Sequence, residues 1–459
     1  MSKRDRSRQL GVICAVLLVG STAPSWGAQP VVPPAQQEYW SQLDQRDWDA
    51  AIVSAQKLVD TARASKAPPD KLAEALTLLG NAQTGKKDFT AAEASFAEAL
   101  QLIEPIVRGV DARLVMPLQG MGFALAGQER HPEAVGYLDK ALAISRRTEG
   151  LFDLGQQGIL RTLADSLTVL GQAEAADQHM RYLRRIGEHV YGANDPRMAS
   201  MMCSIGDWYS ERGQVNDARE LYRSALAIVE KKLGKNHLAA VQPLRALAES
   251  YIREVFLSSY GIRTQQDRLS MAPGGNDSPG DVQPLNPRFL GSEGERSILR
   301  ALAIVDSNKA RTTQELIETL LQAGDWYQVK QQPERALPYY SRAAVTVAAD
   351  ATLPSAQKEA VLGFPVQVYY PTPILATRNL SRPANDVVER FVQVEFTVLP
   401  DGTVKDERIV EQDATSRQQS QTLEAIRSAR YRPKFANGNP VETQAVVYRQ
   451  VFKQRKDAD

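Results

Sequence analysis

A register of small residues returns about every forty-two positions along most of this chain, and that period restricts its fold more than any other feature. Alanines recur at Ala51, Ala92, Ala134, Ala176, Ala218 and Ala336, in steps of 41, 42, 42, 42 and 118. Twelve positions earlier stand Gly80, Gly122, Ala164, Gly206 and Gly324, with Tyr39 in the first copy. Four positions later come Ala55, Phe96, Leu138, Met180, Tyr222 and Tyr340. The most alike copies, residues 206–225 and 324–343, open with Gly206-Asp207-Trp208-Tyr209 and Gly324-Asp325-Trp326-Tyr327. The long step resolves if one copy is interrupted. Ala248 lies 42 beyond Gly206, Gly294 lies 42 before Ala336, and Ala301-Leu302-Ala303-Ile304-Val305 restates Ala225-Leu226-Ala227-Ile228-Val229. Seven copies result.

Each copy reads as a pair of helices. Small residues belong where two helices cross closely, and the residue four positions on shares that helical face and fills the space beside the crossing. One such hairpin cannot bury its apolar face alone, whereas a stack can. A coiled coil fits poorly, because glycines and prolines punctuate the helices every twenty or so residues. The interruption, residues 257–290, carries Met271-Ala272-Pro273-Gly274-Gly275-Asn276-Asp277-Ser278-Pro279-Gly280 and reads as a long loop. Its Asn276, Asp277 and Asp281 miss the alternating acidic spacing and the closing glutamate of a calcium loop.

These positions together resemble the tetratricopeptide repeat, over residues 36–350. The long period and linkers such as Leu233-Gly234-Lys235-Asn236-His237 resemble its kinesin light chain subclass. Gly192 is placed to end a helix in a left-handed conformation, and Asp195-Pro196 to supply an N-cap and a first-turn proline for the next. The packing positions are thus Ala51, Gly80, Ala92, Gly122, Ala134, Ala164, Ala176, Gly206, Ala218, Ala248, Gly294, Gly324 and Ala336.

Beyond a linker at 351–368 the periodicity changes. Val392, Val394, Phe396 and Val398 alternate with Gln393, Glu395 and Thr397, as in a half-buried strand. Pro400-Asp401-Gly402 predicts a hairpin turn, and a second strand comes over 404–410. Leu423, Ile426 and Ala429 mark a short helix ended by Arg432-Pro433, and Asn437-Gly438 turns into a last strand over 441–452. This order resembles the C-terminal domain of TonB, here over 369–455. The matching residues are Tyr370, Pro371, Phe396, Thr397, Val398, Asp401, Gly402, Val404, Ala425, Arg430, Tyr431, Arg432, Pro433, Gly438 and Phe452. The resemblance implies a periplasmic domain that takes an outer-membrane receptor's extended segment onto a sheet edge, a mode that rests on main-chain hydrogen bonds. The expected fold class is therefore mainly α: a solenoid of helical hairpins followed by a small α+β domain.

The first thirty residues differ from everything after them. Lys3, Arg4, Arg6 and Arg8 precede an apolar run over 10–20, then Ser25-Trp26-Gly27. This pattern predicts a secretory signal peptide over 1–27, cleaved after Gly27, with residues 28–35 as a linker. Spanning a bilayer takes about twenty apolar residues, more than this run supplies. Cys14 sits behind Ile13 and not behind a small residue, which speaks against a lipoprotein. The whole chain has a net charge of +1. The leader holds four basic residues and Asp5, so its removal leaves −2, and neither value suits a general nucleic-acid binder. Cys203 would then be alone, without an intramolecular disulfide partner, on an apolar helical stretch that favours burial.

Catalytic constellations are not apparent. His131, His179, His189 and His237 have no metal-ligand spacing, and phosphate loops, nucleophile elbows and zinc signatures are absent. Trp208 and Trp326 occupy repeat positions suited to packing. The expectation is a non-enzymatic periplasmic adaptor without cofactors or metals. It would hold a protein or peptide in the solenoid groove and dock an outer-membrane receptor or other envelope protein through the TonB-like domain. The alternative is a TonB-type energy transducer, anchored in the inner membrane and facing the periplasm, which needs residues 10–24 retained.

Overall fold

The computed structural model describes residues 34–107, 109–259, 287, 290–353, 355–373, 376 and 387–455. The signal peptide and most of the 28–35 linker lie outside these residues, as do nearly all of the 260–289 part of the inserted loop and its Asn276, Asp277 and Asp281. The chain divides into two compact units, residues 11–194 and 195–459.

The first unit holds α1 (Pro34–Asp44), α2 (Trp48–Ala64), α3 (Pro69–Gly85), α4 (Phe89–Ile103), α5 (Val115–Gly127), α6 (His131–Thr148), α7 (Gln157–Val169) and α8 (Ala173–Tyr191). Aspartates cap two of them: Asp47 accepts from the Ala50 N–H at 3.1 Å, and Asp88 from the Ala91 N–H at 3.2 Å. The crossings obey the small-residue rule. A Cβ on Gly80 would meet the Phe96 ring at 2.7 Å, and one on Gly122 would meet Leu138 Cγ at 2.5 Å. In these two copies the residue four after the repeat alanine therefore lies directly over the glycine of the partner helix. Gly192 closes α8 with φ +87° and ψ 140°, outside the left-handed helical well that the sequence predicts, in a region only glycine occupies without strain.

The second unit begins with the same hairpins: α9 (Arg197–Glu211), α10 (Val215–Leu233), α11 (Val241–Ser259), α12 (Ser292–Ser307), α13 (Thr313–Val329) and α14 (Pro333–Ala349). Asp195 accepts from the Arg197 N–H at 2.8 Å, and Thr312 with Glu315 forms a capping box. Here a Cβ on Gly206 would meet Tyr222 at 2.5 Å, and one on Gly324 would meet Tyr340 at 2.3 Å.

A second periodicity lies in the backbone alone. Arg46, Lys87, Glu129, Gly171, Gly213 and Gln331 all have positive φ, between 56° and 78°. They stand in the turn between the two helices of a copy and keep the spacing of the repeat alanines. The interrupted copy is the exception. Its corresponding residue is Val255, which is buried within α11, so the helix runs on to Ser259 and into the first residues that the sequence pattern assigns to the loop. A β-branched side chain disfavours the left-handed conformation that the turn requires.

Residues 351–368, a linker by sequence pattern, contain α15 (Ser355–Leu362) and the strand β1 (Val366–Tyr369). The remainder is β2 (Val387–Val398), β3 (Val404–Gln412), α16 (Ser416–Ser428), β4 (Arg430–Arg432), β5 (Lys434–Ala436), β6 (Asn439–Val441) and β7 (Thr443–Arg455). Among the described residues these form three antiparallel sheets, ordered β3-β2-β7, β1-β4 and β5-β6. Val392, Val394, Phe396 and Val398 of β2 share one buried cluster with Ala425 and Ile426 of α16 and Phe452 of β7. The single last strand expected over 441–452 is two strands, β6 and β7. Gly438 at φ +79° and Asn437 at +52° make the primed turn that pairs β6 with β5.

Candidate functional site

Docking of an extended segment needs an accessible strand edge, and the sheet β3-β2-β7 has β7 at one end. Among the described residues no strand lies beyond it. β7 pairs with β2 from Val387↔Arg455 to Val398↔Thr443, so it is a long edge. Its inner face carries Phe452, fully buried, and Gln450, whose Oε1 accepts the Tyr370 hydroxyl at 2.9 Å. Its outer face carries Val447 and Val451, 52 % and 38 % exposed, with the Arg449 guanidinium stacked 3.5 Å from the Phe391 ring centre. Arg408 of β3 pairs with Glu395 of β2 on that same face. Apolar residues flanked by charges on an edge strand suit a partner strand more than solvent alone.

The TonB-like motif divides into three groups. Tyr370, Phe396 and Phe452 build the core: Tyr370 lies 4.7 Å from Tyr448 and Phe396 lies 5.6 Å from Tyr431, ring centre to ring centre. Pro371 comes directly after Tyr370, Pro433 separates β4 from β5, and Gly438 serves the β5–β6 turn. The remaining group meets the last helical hairpin. Gly402 turns at φ +81°, and a Cβ there would lie 1.9 Å from the Tyr431 carbonyl oxygen and 2.1 Å from Gln328 Nε2. Gln328 of α13, fully buried, donates to the Asp401 and Tyr431 carbonyls, both at 2.9 Å. Arg432 of β4 donates to Asp325 of α13 through Nη2 at 2.6 Å and Nε at 3.2 Å. Burial acts against the charge on Arg432, yet Asp325 overrides it and holds the guanidinium more firmly protonated than usual. Arg430 instead turns its Nη1 to the Ala429 carbonyl at 2.8 Å.

The repeat positions are packing positions. Ala51, Ala92, Ala134, Ala164, Ala176, Ala218, Ala248 and Ala336 are fully buried, and Gly294 sits against the rings of Trp326 and Tyr251. Trp208 and Trp326 are buried. The histidines are dispersed: His131 Nδ1 lies 3.2 Å from Ser166 Oγ, His189 stacks on Phe152, and His237 Nδ1 accepts from the Ala239 N–H. Burial pushes the His179 imidazole below its ordinary pKa and the Cys203 thiol above its own. Among the described residues, no cluster of three or more His, Cys, Asp or Glu could hold a metal ion, and no helix is long and apolar enough to cross a membrane. Sequence reasoning misses Gln328, because its partners are main-chain carbonyls that leave no side-chain signature.

Residues 118–153 and 156–231 match tetratricopeptide repeat families. Residues 391–453 match the family of the Gram-negative bacterial TonB protein C-terminal. No curated protein matches the sequence. Solved structures similar to it include BtubC (BKLC) from P. vanneervenii, at 21 % identity and a TM-score of 0.37, over 50 % of this chain and 96 % of that one. A putative kinesin light chain from Podosopora anserina, with nearly identical TPR-like repeats, matches at 16 % identity and a TM-score of 0.39, over 53 % and 99 %. A tetratricopeptide repeat protein from Parabacteroides merdae ATCC 43184 matches at 12 % identity and 0.37, over 71 % and 95 %.

Proposed function

We propose that this chain, which carries tetratricopeptide repeats and a TonB-type C-terminal domain, is a periplasmic adaptor that joins two protein partners of the cell envelope. The observation that carries the reading is β7, a thirteen-residue strand at the end of its sheet with Val447 and Val451 exposed on it. An extended segment of an outer-membrane receptor or other envelope protein adds to that edge through main-chain hydrogen bonds. The repeats hold a second protein or peptide, in keeping with the protein-interaction character of this fold. The leader over 1–27 directs export and is removed after Gly27. The chemistry is binding, with no catalytic step.

Co-purification from the periplasm tests it, with the full chain compared against Val447→Lys/Val451→Lys. Lysines on an edge strand oppose strand addition. The expected result is one partner lost from the variant while another persists through the repeats. Identical partner sets for the two proteins would overturn docking on β7. N-terminal sequencing of the exported protein tests the location: a start at Ala28 supports the adaptor, whereas retention of residues 10–24 favours an anchored energy transducer.

A further inference from the structure

The two most alike copies of the repeat carry the same dyad. Tyr222 donates to Asp207 at 2.7 Å, and Tyr340 donates to Asp325 at 2.7 Å. The two dyads have different neighbours further along the chain. After the first comes α11, the first helix of the next copy. Among the described residues the second is followed by only the short helix α15 before β1, and the strand β4 supplies Arg432 to Asp325, 5.8 Å from the centre of the Tyr340 ring.

The apolar contacts make the same replacement. Val368 and Tyr369 of β1 and Phe435 of β5 belong to one buried cluster with Trp326, Tyr327, Tyr340 and Val347 of the last hairpin. The β2–α16–β7 core is a separate cluster. Gln328 adds a polar component at the same seam. Its counterpart in the earlier copy is Ser210, a smaller buried residue, whereas Gln328 meets strand and turn carbonyls.

We infer that the α+β domain is the C-terminal cap of the helical stack, with its β1–β4 pair standing where the first helix of another repeat would pack and Arg432 and Gln328 tying the two across the seam. The need is physical, because a terminal repeat without a neighbour exposes the apolar face that stacking would cover. The role is separate from partner binding at β7. It gives the Asp401-Gly402 turn and the Arg430-Tyr431-Arg432 strand an internal partner in place of an external one.

Hydrogen exchange on the full-length protein tests the inference, with Arg432→Ala and Gln328→Ala. Each leaves a buried polar partner unsatisfied across the seam, so amides of α13 and α14 should exchange about tenfold faster. Amides of β2 and β7 should stay near wild-type rates. Gln328→Ala, which leaves the domain's own residues intact, decides the matter if Arg432→Ala does not fold. Wild-type exchange across α13 and α14 in Gln328→Ala, or acceleration confined to β2 and β7, would overturn the cap.

Discussion

Two glycines of one hairpin make a controlled experiment on close helix crossing. Gly122 lies within α5 and Gly136 within α6, so an alanine at either removes the same backbone freedom from the unfolded chain and gains about 1 kcal/mol of helix propensity. Their surroundings differ. A Cβ at 136 meets nothing within 4 Å, whereas one at 122 meets Leu138 Cγ at 2.5 Å and Cδ2 at 2.6 Å. Carbon contacts are optimal near 3.5–4.0 Å, so Leu138 must retreat by about 1 Å. It is fully buried, and Cγ is the branch point of its side chain, so retreat moves the whole isobutyl group. Overpacking of this kind costs about 1–3 kcal/mol. Gly136→Ala should therefore stabilise by up to about 1 kcal/mol and Gly122→Ala should destabilise by about 1 kcal/mol. The difference isolates the crossing, because the propensity contribution cancels. Amide exchange in α5 and α6 reports it locally, which suits a chain of two units better than a global two-state fit. Leu138→Ala in the Gly122→Ala background should couple favourably, since it removes the obstructing atoms. Equal stabilisation by the two alanines would refute the argument that Leu138 enforces glycine at 122.

Other parts of the molecule give three further expected outcomes. Arg223 chiefly, helped by Tyr251 and opposed by burial, holds the Glu293 carboxyl at about 2, below its ordinary 4.5. The stabilisation is therefore complete above pH ~4.5 and lost as pH falls toward 2; with Arg223 48 % exposed, screening limits it to about 1 kcal/mol. Glu293→Gln should differ from wild type at neutral pH and converge with it near pH 2 in acid-unfolding curves, and a constant gap would refute the linkage. Cys203 is fully buried and should label with a thiol reagent only at the rate of unfolding, so fast labelling of native protein would contradict its placement. Glu129 is exposed at φ +64°, so Glu129→Gly should stabilise by about 0.5–1 kcal/mol in thermal unfolding, and a loss would show that its side chain contributes more than its backbone strain.

The helical hairpins are legible in the sequence because close crossing limits residue size, and that limit recurs in phase from Ala51 to Ala336. The turn between the two helices is not. Its left-handed residue is arginine, lysine, glutamate, glycine or glutamine in turn, so the backbone repeats where the side chain does not. The same gap explains why sequence pattern alone ends α11 too early: with no recurring side chain at the turn, the β-branched Val255 is recognised as the failed turn only once the backbone register is known. In the α+β domain, alternation reveals β2, and Asp401-Gly402 reveals its turn. The three-residue strands β4, β5 and β6 are too short to show a period, and β1 hides in an apparent linker because its pairing partner, Arg430–Arg432, is sixty-odd residues away. The seam is hidden for a related reason. Arg432 stands out as part of a motif, but its partner Asp325 belongs to a repeat whose twin carries the same aspartate, and only the fold distinguishes their neighbours.

That seam ties two equilibria together. Asp325 and Gln328 hold β4 and the Asp401-Gly402 turn, and β4 reaches the β2–β7 core through the Tyr431 ring against Phe396. On the proposed docking at β7, a partner present at a hundredfold its dissociation constant adds about 2.7 kcal/mol to the folded domain. Whatever fraction of that free energy passes through Tyr431 and Arg432 also protects the last hairpin. Thermodynamic reciprocity then requires that a ligand ordering α13 and α14 tighten binding at β7 by the same factor.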